Sequence, residues 1–256
     1  MESVLLGRGE NSDFARWTRE FEAKVIARDA AGEPDWQGGA RLDPSVIRSI
    51  QRFQVGESGD GANLIAKADR AGDLEYAAAV RLFVAEERNH ARLLELLLRS
   101  AGAPTIASHW TDAVFVRLRR ALGLRLELMV LMVAEVVALQ YYRLLRAGTS
   151  DPLATQVAAL VLSDEKRHVP FHCQRLRVEF ATSSRVVRCA ALFAWSIVLL
   201  GATVVVAFDH GPALRHFGCR RAEFVRAVLA LFVTIAPTAI SPSTARSVRS
   251  PRGNSR

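Results

Sequence analysis

Cysteine is scarce and scattered in this 256-residue sequence: Cys173, Cys189 and Cys219 form no Cys-x-x-Cys pair. A zinc ribbon and a rubredoxin-type iron site are thereby excluded, and an odd, dispersed set fits a reducing compartment better than a disulfide scaffold. Lysine is nearly absent. Of 34 basic residues only Lys24, Lys67 and Lys166 are lysines, and the formal net charge is +8. Half of that excess sits in Arg246, Arg249, Arg252 and Arg256, in a C-terminal stretch without an acid. A charge so placed argues against a nucleic-acid partner. The opening MESVLLGRGENSDF has no apolar stretch of the signal-peptide kind, so the expected address is cytoplasmic.

Strand punctuation is also missing, whereas long runs rich in Ala, Leu, Val, Arg and Glu recur, which predicts an all-α chain. A first helix is expected over 12–30, then a loop through Gly32, Pro34, Gly38 and Gly39. Asp43-Pro44 is a helix start, an N-cap acid followed by proline at the first helical position, and that helix should run to about Ala71. Asp73 caps the next, which stops at Gly102 and Pro104. A long helix from about Asp112 to Gly148 follows, and Asp151-Pro152 repeats the cap-plus-proline start of one reaching about Ala181. Beyond it lie an apolar run at 189–208, a shorter helix at about 221–235, and a Pro/Ser/Arg-rich end expected to be disordered.

The middle of the chain repeats itself. Glu57, Asp73, Glu86, Glu87 and His90 shifted by 78 positions fall on Glu135, Asp151, Asp164, Glu165 and His168. Two helical hairpins of the same layout are the natural reading. Each carries one Glu-x-x-His motif, Glu87 with His90 and Glu165 with His168, whose members share a helix face and can grip one metal. Glu57 and Glu87 each stand 15 residues from the turn at Gly72, and Glu135 and Glu165 stand 15 from Ser150. At 1.5 Å per residue each arm rises about 22 Å, which brings all six side chains level when the hairpins pack. Glu135 carries extra weight. Its neighbours are LMVLMVAEVVALQYY, where an ionised carboxylate costs several kcal/mol unless it is paired or metal-bound. A set dominated by carboxylates suits iron or manganese better than zinc.

Glu, Glu-x-x-His, Glu, Glu-x-x-His in this order resembles the ferritin-like di-iron carboxylate superfamily, over residues 44–181. The resemblance implies an antiparallel four-helix bundle of two hairpins, with Glu57, Glu87, His90, Glu135, Glu165 and His168 as ligands of two iron ions, or of manganese or a mixed Mn/Fe pair. It implies oxidoreductase chemistry: activation of dioxygen to oxidise or hydroxylate an organic substrate, with an unidentified electron donor. The alternatives are a rubrerythrin- or ferritin-like ferroxidase or peroxide-reducing protein, and a non-enzymatic helical-bundle interaction module. Catalytic residues beyond the ligands are not identifiable, and a homodimer is left open. Glycines at 56, 59 and 61 depart from a plain helix around Glu57 and read either as close packing or as a bulge opening a path to the metals. The 78-residue register favours Glu57 over Asp60.

Weaker candidates surround this set. Glu86 and Asp164 precede the motif glutamates and could accept hydrogen bonds from the ligand histidines of the opposite helix; Glu86 fits a solvated face better. His172, one turn past His168, could ligate or relay protons. Tyr142, two turns past Glu135, reads as a core tyrosine with a satisfied hydroxyl before a redox relay. Cys173 and Cys189 read as small buried residues, and His109, His210 and His216 as loop or surface histidines. The run at 189–208 has no charge over twenty residues and meets the length criterion for a membrane span, but a helix laid over a bundle or against a dimer partner can be as apolar. The expected organisation is an N-terminal helix and loop (1–43), the ferritin-like bundle (44–181), an apolar helical appendage (182–236) and a disordered basic tail (237–256), cytoplasmic with membrane association through 189–208 left open.

Overall fold

The computed structural model describes residues 12–120 and 123–241. Among these, α-helices account for all regular structure apart from one 3-10 turn at Trp36–Gly38: α1 (Ser12–Ala31), α2 (Pro44–Glu57), α3 (Ala62–Arg70), α4 (Leu74–Ser100), α5 (Trp110–Arg120), α6 (Leu124–Gly148), α7 (Pro152–Phe180), α8 (Arg185–Asp209), α9 (Gly211–His216) and α10 (Arg221–Ile240). The two hairpins pack as an antiparallel bundle. One arm is α2 continued by α3; the others are α4, α6 and α7.

The turns are built as the repeat implies. Asp73 and Asp151 sit at equivalent N-caps, accepting from the amides of Tyr76 and Ala154 respectively. Each cap satisfies a donor that the first helical turn leaves unpaired. Asp151 also accepts from the Arg41 amide at 2.7 Å, which ties the N-terminal segment to the second hairpin.

Two long helices expected from the sequence are each interrupted. The first breaks at residues 58–61, immediately after Glu57, where Gly61 takes a φ of +65° and lies so close to Val84 that any Cβ would collide with that side chain. Glycine is the residue that tolerates both conditions, and α4 can therefore approach the break closely. The second becomes α5 and α6, with Gly123 capping α6. At the other end α10 continues through Pro237 to Ile240, so 237–240 is helical; the rest of the expected disordered tail, from 242, lies outside the described residues.

The core is continuous. Phe14, Trp17 and Phe21 of α1 meet Tyr76, Phe83 and Phe171 of α4 and α7, in edge-to-face contacts such as Phe21–Phe171 at 5.4 Å. The flanking helix α1 thus shares the bundle's core. On the far side α10 packs on α7, and α8 lies against α6 and α10. Among the described residues three helices, α6, α8 and α10, are long and apolar enough to cross a membrane by length and composition. Only α6 owes this to burial: 78% of its apolar stretch is inside the protein, against 22% for α8.

Candidate metal centre

Each of the six residues singled out by spacing reaches the bundle's interior at one level. Glu57 comes from the last position of α2, Glu87 and His90 from α4, Glu135 from α6, and Glu165 and His168 from α7. One ligand atom each from Glu57, Glu87, His90 and Glu165 lie within 4.8 Å of one another, and so do atoms of Glu87, Glu135 and His168. Glu87 belongs to both groups, so the two sets are adjacent and share a carboxylate.

The inward atoms lack partners. Glu87 Oε1, Glu135 Oε2, Glu165 Oε2 and Nδ1 of both His90 and His168 are buried without a hydrogen bond. Buried polar atoms are normally satisfied, so five orphans facing one another mark a place for cations. His168 Nδ1 lies 3.1 Å from Glu87 and 3.5 Å from Glu135; His90 Nδ1 lies 3.6 Å from Glu165. The donor set and its orphaned atoms fit a pair of metal ions.

The opposite edges of both rings are engaged, in a crossed pattern. His90 Nε2 meets Asp164 Oδ2 of α7 at 3.3 Å, while His168 Nε2 meets Glu86 Oε2 of α4 at 3.1 Å. Each hairpin's histidine is therefore oriented by the other hairpin's acid, and Nδ1 is left to face the centre. Glu86 is not on a solvated face: it is 1% exposed. Its charge and that of Asp164 are balanced by Arg167, at 2.8 and 3.0 Å, and by Arg28 of α1, at 3.2 and 2.9 Å. Lys24, also on α1, stands 3.6 Å from Asp164. No sequence signal had singled out Arg28 or Arg167, because the docked α1 brings Arg28 to the acids and the packing of α7 on α4 brings Arg167 to Glu86.

Charge is divided unequally over these side chains. Burial, then the neighbouring Glu87, pushes the Glu57 carboxyl well above its usual range, and burial with the Glu135 charge does the same to Glu165. Burial alone would raise Glu135 too, but the His168 imidazole 3.5 Å away, with His172 adding, holds it at about 2. His168 is raised well above 6.5, since its carboxylate partners outweigh the burial that would lower it. Proton binding is thus favoured at Glu57, Glu165 and His168, and a cation bound there would compete with those protons.

Other candidates fall variously. His172 is wholly buried, both ring nitrogens unpartnered, 3.8 Å from Glu135, and burial lowers it to about 4. Tyr142 is buried and donates to Glu57 Oε1 at 2.9 Å. Asp60 is exposed and belongs to neither group of clustered ligand atoms. Cys173 is buried, but Cys189 is exposed on α8. His210 is not a surface residue: it is buried, with Nδ1 2.7 Å from Ser49, whose hydroxyl is also 2.8 Å from Tyr141. Its burial follows from α9, a short helix unforeseen in the sequence, which folds back on α2.

A cavity of about 420 Å³ leads to the centre, lined at its inner end by Glu57, Glu87, Glu135 and Glu165. Its walls are otherwise mostly apolar: Phe53 and Gly56 beside the helix break, Val133, Ala134 and Ala138 of α6, Val114, Phe115 and Leu118 of α5, and Val198, Ala202 and Val205 of α8. The break after Glu57 thus borders an opening, which matches the bulge reading of the glycines.

No family model matches the sequence, and no curated protein does. Among solved structures, a point mutant of an R2-like ligand-binding oxidase with aerobically reconstituted Mn/Fe cofactor is similar at a TM-score of 0.67 and 14% identity, covering 89% of this chain and 94% of that one. A second mutant of such an oxidase, with the same cofactor, gives 0.66 and 14%, covering 93% and 99%. The R2-like ligand-binding oxidase after a long soak gives 0.62 and 12%, covering 92% and 98%. At such identity the likeness establishes the fold, which is ferritin-like.

Proposed function

We propose that the chain is a non-haem two-metal oxidoreductase that uses dioxygen to oxidise an apolar organic substrate held in the cavity. The observation that carries this reading is the cavity itself, whose apolar walls end on four carboxylates. A site for ferrous iron or peroxide alone has no need of an apolar-walled chamber of this size, which puts the ferroxidase and peroxidase readings second. The interaction-module reading leaves the buried carboxylates of Glu57, Glu135 and Glu165, and the orphaned atoms beside them, without a purpose.

Glu57, Glu87, His90 and Glu165 would hold one metal, and Glu87, Glu135 and His168 the other, as two iron ions or a manganese–iron pair. The Mn/Fe cofactor of the similar oxidases supports that choice. A reduced pair of this kind supplies electrons to dioxygen and oxidising power at the inner end of the cavity. The chain's own part is positional. Glu86 and Asp164 fix the two imidazoles, Tyr142 holds one oxygen of Glu57 by donating to it, and the cavity walls exclude water while orienting an apolar molecule toward the carboxylates. With no rubredoxin cysteines in the sequence, the electrons come from a separate donor.

Elemental analysis of the purified protein tests the centre, with an optical spectrum after ferrous reconstitution and exposure to air. About two metals per chain and oxo-bridged absorption bands are expected. In Glu135→Ala the metal content should fall; unchanged content would sink the shared centre, and one zinc per wild-type chain would remove the oxygen chemistry.

A further inference from the structure

Helix α8 touches the rest of the protein along one stripe. Trp195, Leu199, Thr203 and Ala207, spaced four apart, are buried, and the Trp195 indole donates to the Met129 carbonyl at 2.7 Å. Around the rest of its circumference, from 186 to 208, every exposed side chain is uncharged, and Phe193, Ile197, Leu200, Val204 and Phe208 form a second, outward stripe. Scattered exposed hydrophobics need no explanation, but a continuous apolar helix face of about 30 Å does.

The flank of this stripe coincides with the cavity mouth. Val198 and Val205 are 38% and 37% exposed and are also part of the cavity wall. Across the mouth, Trp110, Val114 and Leu118 of α5 are likewise both exposed, at 58%, 60% and 43%, and lining. The chamber thus opens onto an apolar surface formed by two helices. Among the described residues, the exposed charged side chains of these helices are Arg117 and Arg185, both cationic.

We propose that the α5–α8 face docks on a bilayer bearing anionic lipid, with α8 lying in the interfacial plane, so that the cavity opens into the membrane and receives a lipophilic molecule from it. Charge decides the occupant: arginines beside an exposed apolar stripe match acidic headgroups above acyl chains, whereas a second copy of this face would offer them no exposed acid among the described residues. The helix lies on the membrane and does not cross it. Its anchoring stripe fastens it to α6 and α10 along its length, and a span would take the bundle's charged flanks into hydrocarbon. Delivery of a substrate rests on the oxidase reading; the docking does not.

The test uses the metal-loaded full chain with vesicles of phosphatidylcholine, with and without phosphatidylglycerol. The protein should float with the anionic vesicles, and brominated acyl chains should quench the fluorescence of Trp110, a loss absent in Trp110→Phe. Ile197→Glu combined with Val204→Glu, both exposed, should weaken vesicle binding about tenfold or more while leaving metal content unchanged. Failure to float, or flotation without quenching of Trp110, overturns the proposal. So does a dimer, seen by light scattering without lipid, that Ile197→Glu converts to monomer, since a second copy is then the occupant. Loss of the oxidase reading would appear separately, as metal-poor protein that still floats.

Discussion

His168 Nε2 lies 3.1 Å from Glu86, an acid on the other hairpin one residue before that hairpin's own Glu-x-x-His motif. With the matching His90–Asp164 contact, it makes the orientation of both imidazoles depend on packing between the halves.

Neutralising either acid should loosen the centre without dismantling it. Glu86→Gln and Asp164→Asn are each expected to lower metal affinity about 10- to 100-fold, since partners that orient ligating histidines have effects of that size. Competition against a coloured chelator reads this directly; unaltered affinity in both variants would refute the orienting role.

The break after Glu57 predicts a contrast between two neighbouring glycines. Gly61→Ala combines a left-handed backbone with a collision against Val84, and should destabilise by about 2–5 kcal/mol. Gly59 has a negative φ and nothing nearer to an added Cβ than an arginine terminus at 3.9 Å, so Gly59→Ala should be near neutral. Thermal melts of the two variants side by side settle the difference.

Glu127 is fully buried, 2.6 Å from Lys67 and within 3.0 Å of the Asn63 amide through both oxygens. It ties α3 to α6, below the break. Lys67→Met removes the principal counter-charge and is expected to cost about 3–5 kcal/mol, because the carboxylate then remains buried and under-compensated. Denaturant titration at neutral pH measures it, and a loss under 1 kcal/mol would show that Asn63 and Arg119 suffice.

Acid should act on the protein partly through His210. Burial, with Arg52 and His109 nearby, holds its ring at about 3, below the ordinary value of about 6.5. For a group with a depressed folded value, the contribution is complete above about pH 6.5 and is lost as pH falls toward 3, at up to about 1.4 kcal/mol per pH unit. His172, held at about 4, acts in the same direction. Between pH 7 and pH 5, His210→Gln should therefore lose about 2 kcal/mol less stability than the wild type. Equal losses in denaturant titrations at the two pH values would show that His210 does not titrate with unfolding.

What could be read from the sequence tracks how local its cause is. Glu135 announced itself because its immediate neighbours are apolar, so a charge there demanded a partner. Glu86 sits among Glu87, Arg88 and Asn89, a polar window that looks solvated, and only the approach of α7 and α1 buries it. The glycines around Glu57 marked an irregularity, but that the chain would break there depended on Val84 of the facing helix. His210, beside Gly211-Pro212, had the look of a turn until α9 closed over it. For α8 the sequence offered burial first and a membrane second, since composition does not say how much of a helix a neighbour covers.

The crossed orientation of the two histidines also bears on assembly. A hairpin on its own can form its turn and align its Glu-x-x-His pair, yet its imidazole would be free to rotate and would have no fixed face toward a metal. On the two-metal reading, tight metal binding would then wait for the stage at which both hairpins, with α1 supplying Arg28 and Lys24, have docked. Metal capture during folding would report the joining of the halves rather than the formation of either, and protein released before that stage would remain empty instead of loading wrongly.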